Sequence, residues 1–381
     1  MTTGGAQMVL LQQAQWFKNH GCDVTAAFFY DLDGVFETWS RQYPVPLVNL
    51  NAWKKKAPVW QKIWLLIAGI FRLINLLRTE KFSAIETFTH HSNLIGIPLA
   101  WIMRVPVRVA THHGSLENFP GLLNHLHNWI INSGKAQTLV VVSTSLKEKA
   151  IREGIQPKRI QVIANGIELP PRLEAAAATV RKELSPAQNQ PLLLAVGRLV
   201  TPKGHTYLLQ AVPALLTEYP DLQLVIAGEG YLRPALEAEI DSLHLERSVH
   251  LLGNRSDVPV LLQACDIFVL SSRNEGMPIA LLEAMAAGAA VISTRVEGVA
   301  DLICEGQNGL LVPVEDPAAL AQAILHLLRN PDLRRQLGTA ARETIQEKYS
   351  LDHSCRQYAA MLAPDLMNSP ANPIIPRVTL P

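Results

Sequence analysis

The sequence predicts an α/β protein built from two parallel-sheet domains, and three observations lead there. Nine short β-rich runs, from "CDVTAAFFY" near the start to "AAVIST" at 289–294, alternate with helical stretches. Such alternation gives parallel sheets with both faces covered by helices. The rhythm breaks once, over 168–191, where proline, alanine and charge dominate. The length, 381 residues, exceeds what one ordinary core encloses and suits two.

The first domain therefore takes residues 1–167 and carries the runs "CDVTAAFFY", "FSAIETFT", "VRVATHH" and "TLVVVS". Residues 168–190 are expected to be a linker or short exposed helix. The second domain, 191–350, carries "LLLAVG", "LQLVIAG", "SVHLLG", "DIFVLS" and "AAVIST". A C-terminal helix at 351–363 and a loose tail at 364–381 complete the chain. Open sheets of this kind bind ligands at the carboxyl ends of their strands, so two of them imply a central cleft.

Composition narrows the function. Charged residues are 18% and the net charge is +1, which offers no argument for a nucleic-acid partner. Cys22, Cys265, Cys304 and Cys355 are scattered singly, a pattern that suits a reducing compartment. The opening "MTTGGAQMVL" lacks the charged and apolar regions of a signal peptide. The longest uninterrupted apolar run, Ile63 to Phe71, is too short to span a bilayer. One segment stands apart: residues 51–82 hold a lysine triplet, three tryptophans and a long apolar face. It resembles an interfacial helix lying on an anionic membrane, against the plainer reading of a core helix with a basic cap.

The chemistry concentrates in "EGMPIALLEAMAAG", 275–288. Pro278 suits the first turn of a helix and Gly288 its C-cap. Glu275 then lies in the loop after the strand "DIFVLS", while Glu283 projects from inside the helix. The helix N-terminus favours an anion, and carboxylates accept hydrogen bonds from vicinal hydroxyls. Together they fit a nucleotide sugar. On spacing alone, two solvated glutamates beside a helix start would be the simpler account. "AVGRLVTPKG" changes the balance, because it puts Arg198 and Lys203 after the first strand of the same sheet. Two cations there can neutralise a diphosphate.

These stretches carry a family resemblance. "SSRNEGMPIALLEAMAAG" resembles the paired-glutamate signature of retaining glycosyltransferases of family four, which have the GT-B fold of two Rossmann-like doubly wound domains. "GRLVTPKG", "VIAGEG", "VIANGIE", "QNGLLVP" and the N-terminal "TGGAQ" resemble its other landmarks, in order, from Gly4 to about Leu362. The resemblance implies an acceptor-side first domain and a second domain that binds a nucleotide-diphosphate sugar. Glu275 is then expected at the donor sugar and Glu283 at the ribose hydroxyls. Arg198 and Lys203 hold the diphosphate and stabilise the leaving group. The backbone of Gly276 and Met277 approaches sugar and phosphate, and that of Gly4 and Gly5 approaches the diphosphate. His113 falls at the family's reacting-centre histidine, whereas His112 is expected to face the other way as an ordinary strand-end residue. No metal or other cofactor is implied, and the pair His90–His91 has no supporting carboxylate or cysteine. The base-reading loop is expected near Asn254 and Arg255.

The implied activity is hexosyl transfer to a hydroxyl acceptor with retained configuration. A lipid-linked or glycan acceptor of the cell envelope suits a cytoplasmic enzyme at the inner face of the membrane. Two alternatives stand beside it: an epimerase or phosphorylase of the same fold, and a non-catalytic membrane-surface scaffold. The scaffold draws on one departure from the family. A β-strand normally precedes the glycine loop, and without it two strands lose a neighbour. An upstream start is the favoured explanation, and a sheet rebuilt around the gap is the other. A second departure is "RVEGVAD", where Glu297 stands before Gly298 in place of paired glycines.

Overall fold

The structure, a computed structural model, describes residues 5–31, 34–114, 121–185, 190–368 and 377–380. The chain divides into two compact units, one of residues 1–166 with 351–381 and one of residues 167–350.

Unit 1 opens with helix α1 (Gly5–Asn19) and strand β1 (Asp23–Phe28). Helix α2 (Phe36–Gln42), strand β2 (Leu47–Asn49) and the long helix α3 (Val59–Glu80) follow. The βα rhythm continues with β3 (Ala84–Phe88), α4 (His90–Ile102), β4 (Val107–His112), α5 (Gly121–Asn132), β5 (Thr138–Val141), α6 (Thr144–Arg152) and β6 (Ile160–Val162). Strands β3 and β5 are almost wholly buried, as strands covered on both faces must be, although β3 carries Glu86 and Thr87. A core of Ala27, Leu50, Leu73, Leu77, Phe82 and Ile85 joins α3 to the sheet.

Unit 2 begins with α7 (Glu174–Leu184) and β7 (Leu192–Val196). Then come α8 (His205–Leu216), β8 (Gln223–Ala227), α9 (Arg233–Ser242), β9 (Val249–Gly253), α10 (Val258–Ala264) and β10 (Ile267–Leu270). Helix α11 (Ile279–Ala287), β11 (Ala290–Thr294), α12 (Glu297–Ala300), β12 (Leu310–Val312), α13 (Pro317–Arg329) and α14 (Pro331–Lys348) complete it. Its six strands lie in the order β12-β11-β10-β7-β8-β9 and every named pair is parallel. The order reverses between β7 and β10, which makes their carboxyl ends the sheet's switch point. Within the segment expected as a linker or short exposed helix, Glu174–Leu184 forms α7, which is clamped to unit 2. Arg181 pairs with Asp266 at 2.7 Å and donates to the carbonyls of Ala264 and Gln190.

The chain then returns to unit 1 as α15 (Leu351–Leu362) and α16 (Pro364–Asn368), and ends in strand β13 (Arg377–Leu380). The first sheet runs β2-β1-β13-β3-β4-β5-β6. Strand β13 thus fills the place between β1 and β3 that the sequence leaves without a neighbour. It pairs in parallel with both, in the registers Asp23↔Arg377 to Ala26↔Leu380 and Val378↔Ala84. The expectation of a loose C-terminal tail is therefore corrected for residues 377–380. The reason is physical: unpaired backbone groups at the middle of a buried sheet cost more than ordering four residues. The four minor strands β2, β6, β12 and β13 carry three or four residues each, too short for a periodic signal.

Removal of residues 369–381 is expected to open this sheet at its middle. Each lost backbone bond contributes about 1 kcal/mol net, so hydrogen exchange should accelerate in β1 and β3 while β7 and β10 keep their protection. Unchanged protection of β1 and β3 would show that the pairing does not hold in solution.

Candidate functional site

At the switch point of unit 2 the loops after β7, β8 and β10 are stitched together by backbone. Gly197 N–H donates to Ala227 O at 3.0 Å, and Leu199 N–H to Glu229 O at 2.9 Å. Arg273 N–H donates to Pro202 O at 2.8 Å. Glycine makes these approaches possible. Gly204 has φ 63°, and a Cβ there would lie 2.2 Å from Ser271 O. A Cβ on Gly298 would lie 1.7 Å from Gly276 O. In "RVEGVAD" the second glycine position is therefore the one that the loop geometry requires, and Glu297 replaces the less constrained one.

The stitched loops carry the charges. Lys203 Nζ lies 2.5 Å from Glu275 Oε1, and Ser272 Oγ donates to the same oxygen at 2.7 Å. Lys203 and Glu275 are largely buried, so this pair is less screened than a surface bridge. Arg198 is exposed on the loop after β7. Its carbonyl lies 3.3 Å from the Nε2 of buried His205, whose pKa burial lowers to about 4. The neutral ring must therefore donate from Nε2, and it pins the Arg198 backbone. Thr201 N–H and Oγ1 meet the Tyr231 hydroxyl at 3.2 and 2.8 Å, tying the same loop from its other side.

Helix α11 starts from Pro278 as its N-cap and ends at Gly288 in the left-handed conformation, with φ 82°. Gly276 and Met277 are buried just before it. Glu283, inside the helix, is half-buried, and burial raises its carboxyl to about pKa 7. The N-termini of α8 and α11 both open onto the switch point, where backbone N–H groups favour an anion. Of the expected set, Lys203 and Glu275 are in direct contact, and Arg198 shares the Lys203 loop. Arg255 is held by both carboxylate oxygens of Asp257, at 2.7 and 2.8 Å, so its guanidinium is engaged.

In unit 1, α1 starts at Gly5, and Gly4 lies outside the described residues. His113 follows β4 and its ring stacks on Phe88 at 5.0 Å between centroids. One ring nitrogen lies 3.1 Å from Asn165 Oδ1 and the other 3.2 Å from Thr111 Oγ1, which locks its orientation. Asn165 lies in "VIANGIE", a stretch that the sequence marked as a landmark without singling out this residue. His112 is buried, its ring centroid 6.2 Å from that of His90. His90 in turn stacks on His127 at 4.1 Å. Stacked rings do not point lone pairs at one centre as a metal requires.

Burial lowers all four imidazoles, His90, His113 and His127 to about pKa 4 and His112 to about 3. The unfolded chain, with histidines at about 6.5, therefore binds protons that the folded unit refuses. The stability that these rings contribute is complete above about pH 6.5 and falls as pH drops toward about 4. At about pH 5 each imidazole costs on the order of 2 kcal/mol. Denaturant unfolding of unit 1 should show its midpoint falling steeply from about pH 6.5 to about pH 5. His127→Gln should flatten that slope, and a flat parent profile would contradict the assignment.

Residues 177–344 match the family Glycosyl transferases group 1, and residues 3–169 match Glycosyltransferase Family 4. Over 269 residues the chain is 30% identical to the UDP-Gal:alpha-D-GlcNAc-diphosphoundecaprenol alpha-1,3-galactosyltransferase of Escherichia coli, covering 68% of this chain and 70% of that protein. Over 298 residues it is 29% identical to the N,N'-diacetylbacillosaminyl-diphospho-undecaprenol alpha-1,3-N-acetylgalactosaminyltransferase of Campylobacter jejuni, covering 74% and 78%. The fold matches that of the Anabaena protein HepE, solved with UDP and glucose, with a TM-score of 0.83 at 22% identity over 95% of this chain and 96% of that one. With both halves matched and the switch-point motifs in place, the chain belongs to the family-four (group 1) glycosyltransferases of the GT-B fold.

Proposed function

We propose that the protein moves a hexose from a nucleotide-diphosphate sugar to a hydroxyl acceptor, with retention at the anomeric carbon. The observation that carries this reading is the meeting of Lys203, Glu275 and the Arg198 loop at the switch point of the second sheet. Arg198 and Lys203 take the two negative charges that develop on the departing diphosphate, and the N-termini of α8 and α11 add their N–H groups. With that charge held by side chains and backbone, no metal or other cofactor is needed. Glu275 receives the donor sugar's hydroxyls and Glu283 those of the ribose. Gly276 and Met277 line the path of sugar and phosphate, and the family resemblance assigns the backbone of Gly4 and Gly5 to the diphosphate.

The bond from the anomeric carbon to the diphosphate oxygen breaks as the acceptor oxygen bonds to that carbon from the same face. The acceptor's proton passes to the departing diphosphate. His113, its ring locked by Asn165, Thr111 and Phe88, lies on the acceptor side. The acceptor is assigned as lipid-linked. The names of the Escherichia coli and Campylobacter relatives give diphosphoundecaprenol acceptors for those proteins. The exposed apolar face of α3 supports the same class, and with it a position at the inner face of the membrane.

Arg198→Ala and Lys203→Ala are each expected to lower kcat by about a hundredfold to a thousandfold, with the unfolding midpoint of unit 2 nearly kept for Arg198→Ala. Near-parental turnover in both would remove the diphosphate assignment.

Glu283 offers a second test. A carboxyl at about pKa 7 is partly protonated in neutral buffer. Ribose hydroxyls that donate to it favour the ionised form, so binding must expel a proton. UDP or UDP-sugar titrated by calorimetry near about pH 7 should show a heat that depends on the buffer's ionisation enthalpy. Glu283→Gln should remove that dependence relative to the parent and weaken binding about tenfold. An equal proton count in both would place the ribose elsewhere.

A further inference from the structure

We infer that the helical layer α3–α4–α5 is a single docking face for an anionic lipid bilayer, extending well beyond the 51–82 segment. The topology puts the three helices together. Each leads from one parallel strand to the next in the same direction across the sheet, from β2 to β3, β3 to β4 and β4 to β5. Right-handed crossovers in one direction lie on one face. Packing agrees, because α4 touches both α3 and α5.

The outer side of this layer is apolar and aromatic. Trp60, Trp64 and Phe71 on α3 are each 66% exposed. Trp101 at the end of α4 and Leu126 and Trp129 on α5 are exposed as well. Lys135 joins the last two helices, its ammonium 5.1 Å from the Trp101 ring and 3.9 Å from the Trp129 ring. Lys62 stands over Trp53 in the same way, at 4.9 Å. Tryptophan beside lysine is the pattern of a membrane interface, where the ring sits at headgroup depth and the ammonium meets phosphate.

Charge selects the lipid. From Asn51 to Thr79 the chain carries Lys54, Lys55, Lys56, Lys62, Arg72 and Arg78 and no acidic residue. Helix α5 has no aspartate, glutamate, lysine or arginine at all. A surface of one sign facing apolar rings suits anionic headgroups, because each cation gains where the surface potential is negative.

The geometry also fixes how α3 lies. It is the one helix among the described residues long and apolar enough to cross a membrane by length and composition. Its inner side is already committed to unit 1. Leu73 and Leu77 are in the core, a Cβ on Gly69 would lie 2.4 Å from that of Ala52, and Arg72 donates to Leu50 O at 2.6 Å. A helix held along a sheet in this way rests in the interface plane, with Trp60, Trp64 and Phe71 inserted and the polar side of its last turns toward water.

This inference deepens the lipid-linked reading, but its test needs neither donor nor acceptor. The full chain is mixed with phosphatidylglycerol-containing vesicles and with phosphatidylcholine vesicles, and sedimentation and tryptophan emission are followed. The expected result is binding to the anionic vesicles with a blue shift, much weaker binding to the neutral ones, and sensitivity to salt. The triple change Trp60→Ser, Trp64→Ser, Phe71→Ser should weaken binding about tenfold or more, and so should Trp101→Ser with Trp129→Ser. Both variants alter outward side chains and should keep the parental UDP affinity, which separates this surface from the reaction site. A folded parent that ignores anionic vesicles would overturn the inference, and so would a triple variant that binds as tightly as the parent. Concentration-dependent dimers that the triple change dissolves, without any vesicle binding, would assign the face to a second copy instead.

Discussion

The ligand-binding edge of each unit depends on backbone pairing at the switch point of its sheet. Helices leave to opposite faces there, so the loops diverge and a crevice opens. The crevice keeps its shape only while the two strands beneath it remain bonded. In unit 2 those strands are β7 and β10, paired at Leu193↔Ile267 and Leu194↔Phe268. Asp266 reinforces them: its N–H donates to Leu192 O, its carboxylate accepts from Leu192 N–H, and Arg181 and Arg334 neutralise it. In unit 1 the corresponding strand is β13, delivered from the far end of the chain. The same requirement is thus met by a rigid, charge-locked pair in one sheet and by a short terminal strand in the other.

Above the strands, the second constraint is closeness. The loops that carry Arg198, Lys203 and Glu275 are held by carbonyl groups lying where side chains would otherwise be. Gly204, Gly228, Gly230 and Gly298 each leave room for a backbone oxygen within 2.2 Å of a hypothetical Cβ. Such packing costs chain entropy in unfolding equilibria, but it removes freedom from the loops before a ligand arrives. Preorganised charge is worth more to a transition state than charge that must be gathered. His205 and Tyr231 serve the same end, fixing the Arg198 carbonyl and Thr201 from two sides.

Much of this was legible in the sequence. The nine other strands coincide with the β-rich runs, because buried parallel strands read as short apolar blocks. The helix at "PIALLEAMAAG" was bounded by its proline and glycine, and Pro278 proved to be the N-cap instead of the first helical residue. What stayed hidden depends on distant contacts. "RVTL" becomes a strand only because β1 and β3 need a partner, and nothing in four residues announces that. The segment holding α7 read as a linker or short exposed helix, and its hold on unit 2 stayed hidden because that runs through Asp266, more than eighty positions away. Asn165 and His127 acquire meaning only when the fold brings them against His113 and His90. Spacing can find residues on one loop, but not partners from separate ones.

Electrostatics joins these features. Helix α11 and the loop before it carry two carboxylates in different surroundings. Glu275 is compensated by Lys203 and Ser272, whereas for Glu283 burial alone favours the neutral form. A ligand that brings both phosphates and hydroxyls changes both. On the proposed assignment its phosphates compete for the Lys203 ammonium and free Glu275 for hydroxyl contacts, and its ribose supplies the donors that let Glu283 ionise. A free phosphate would satisfy the cations and leave Glu283 buried without partners. A bare sugar would do the reverse. On the proposed reading the site discriminates by requiring both halves of the ligand at once, since the polar groups left unpaired by either half alone carry the desolvation cost.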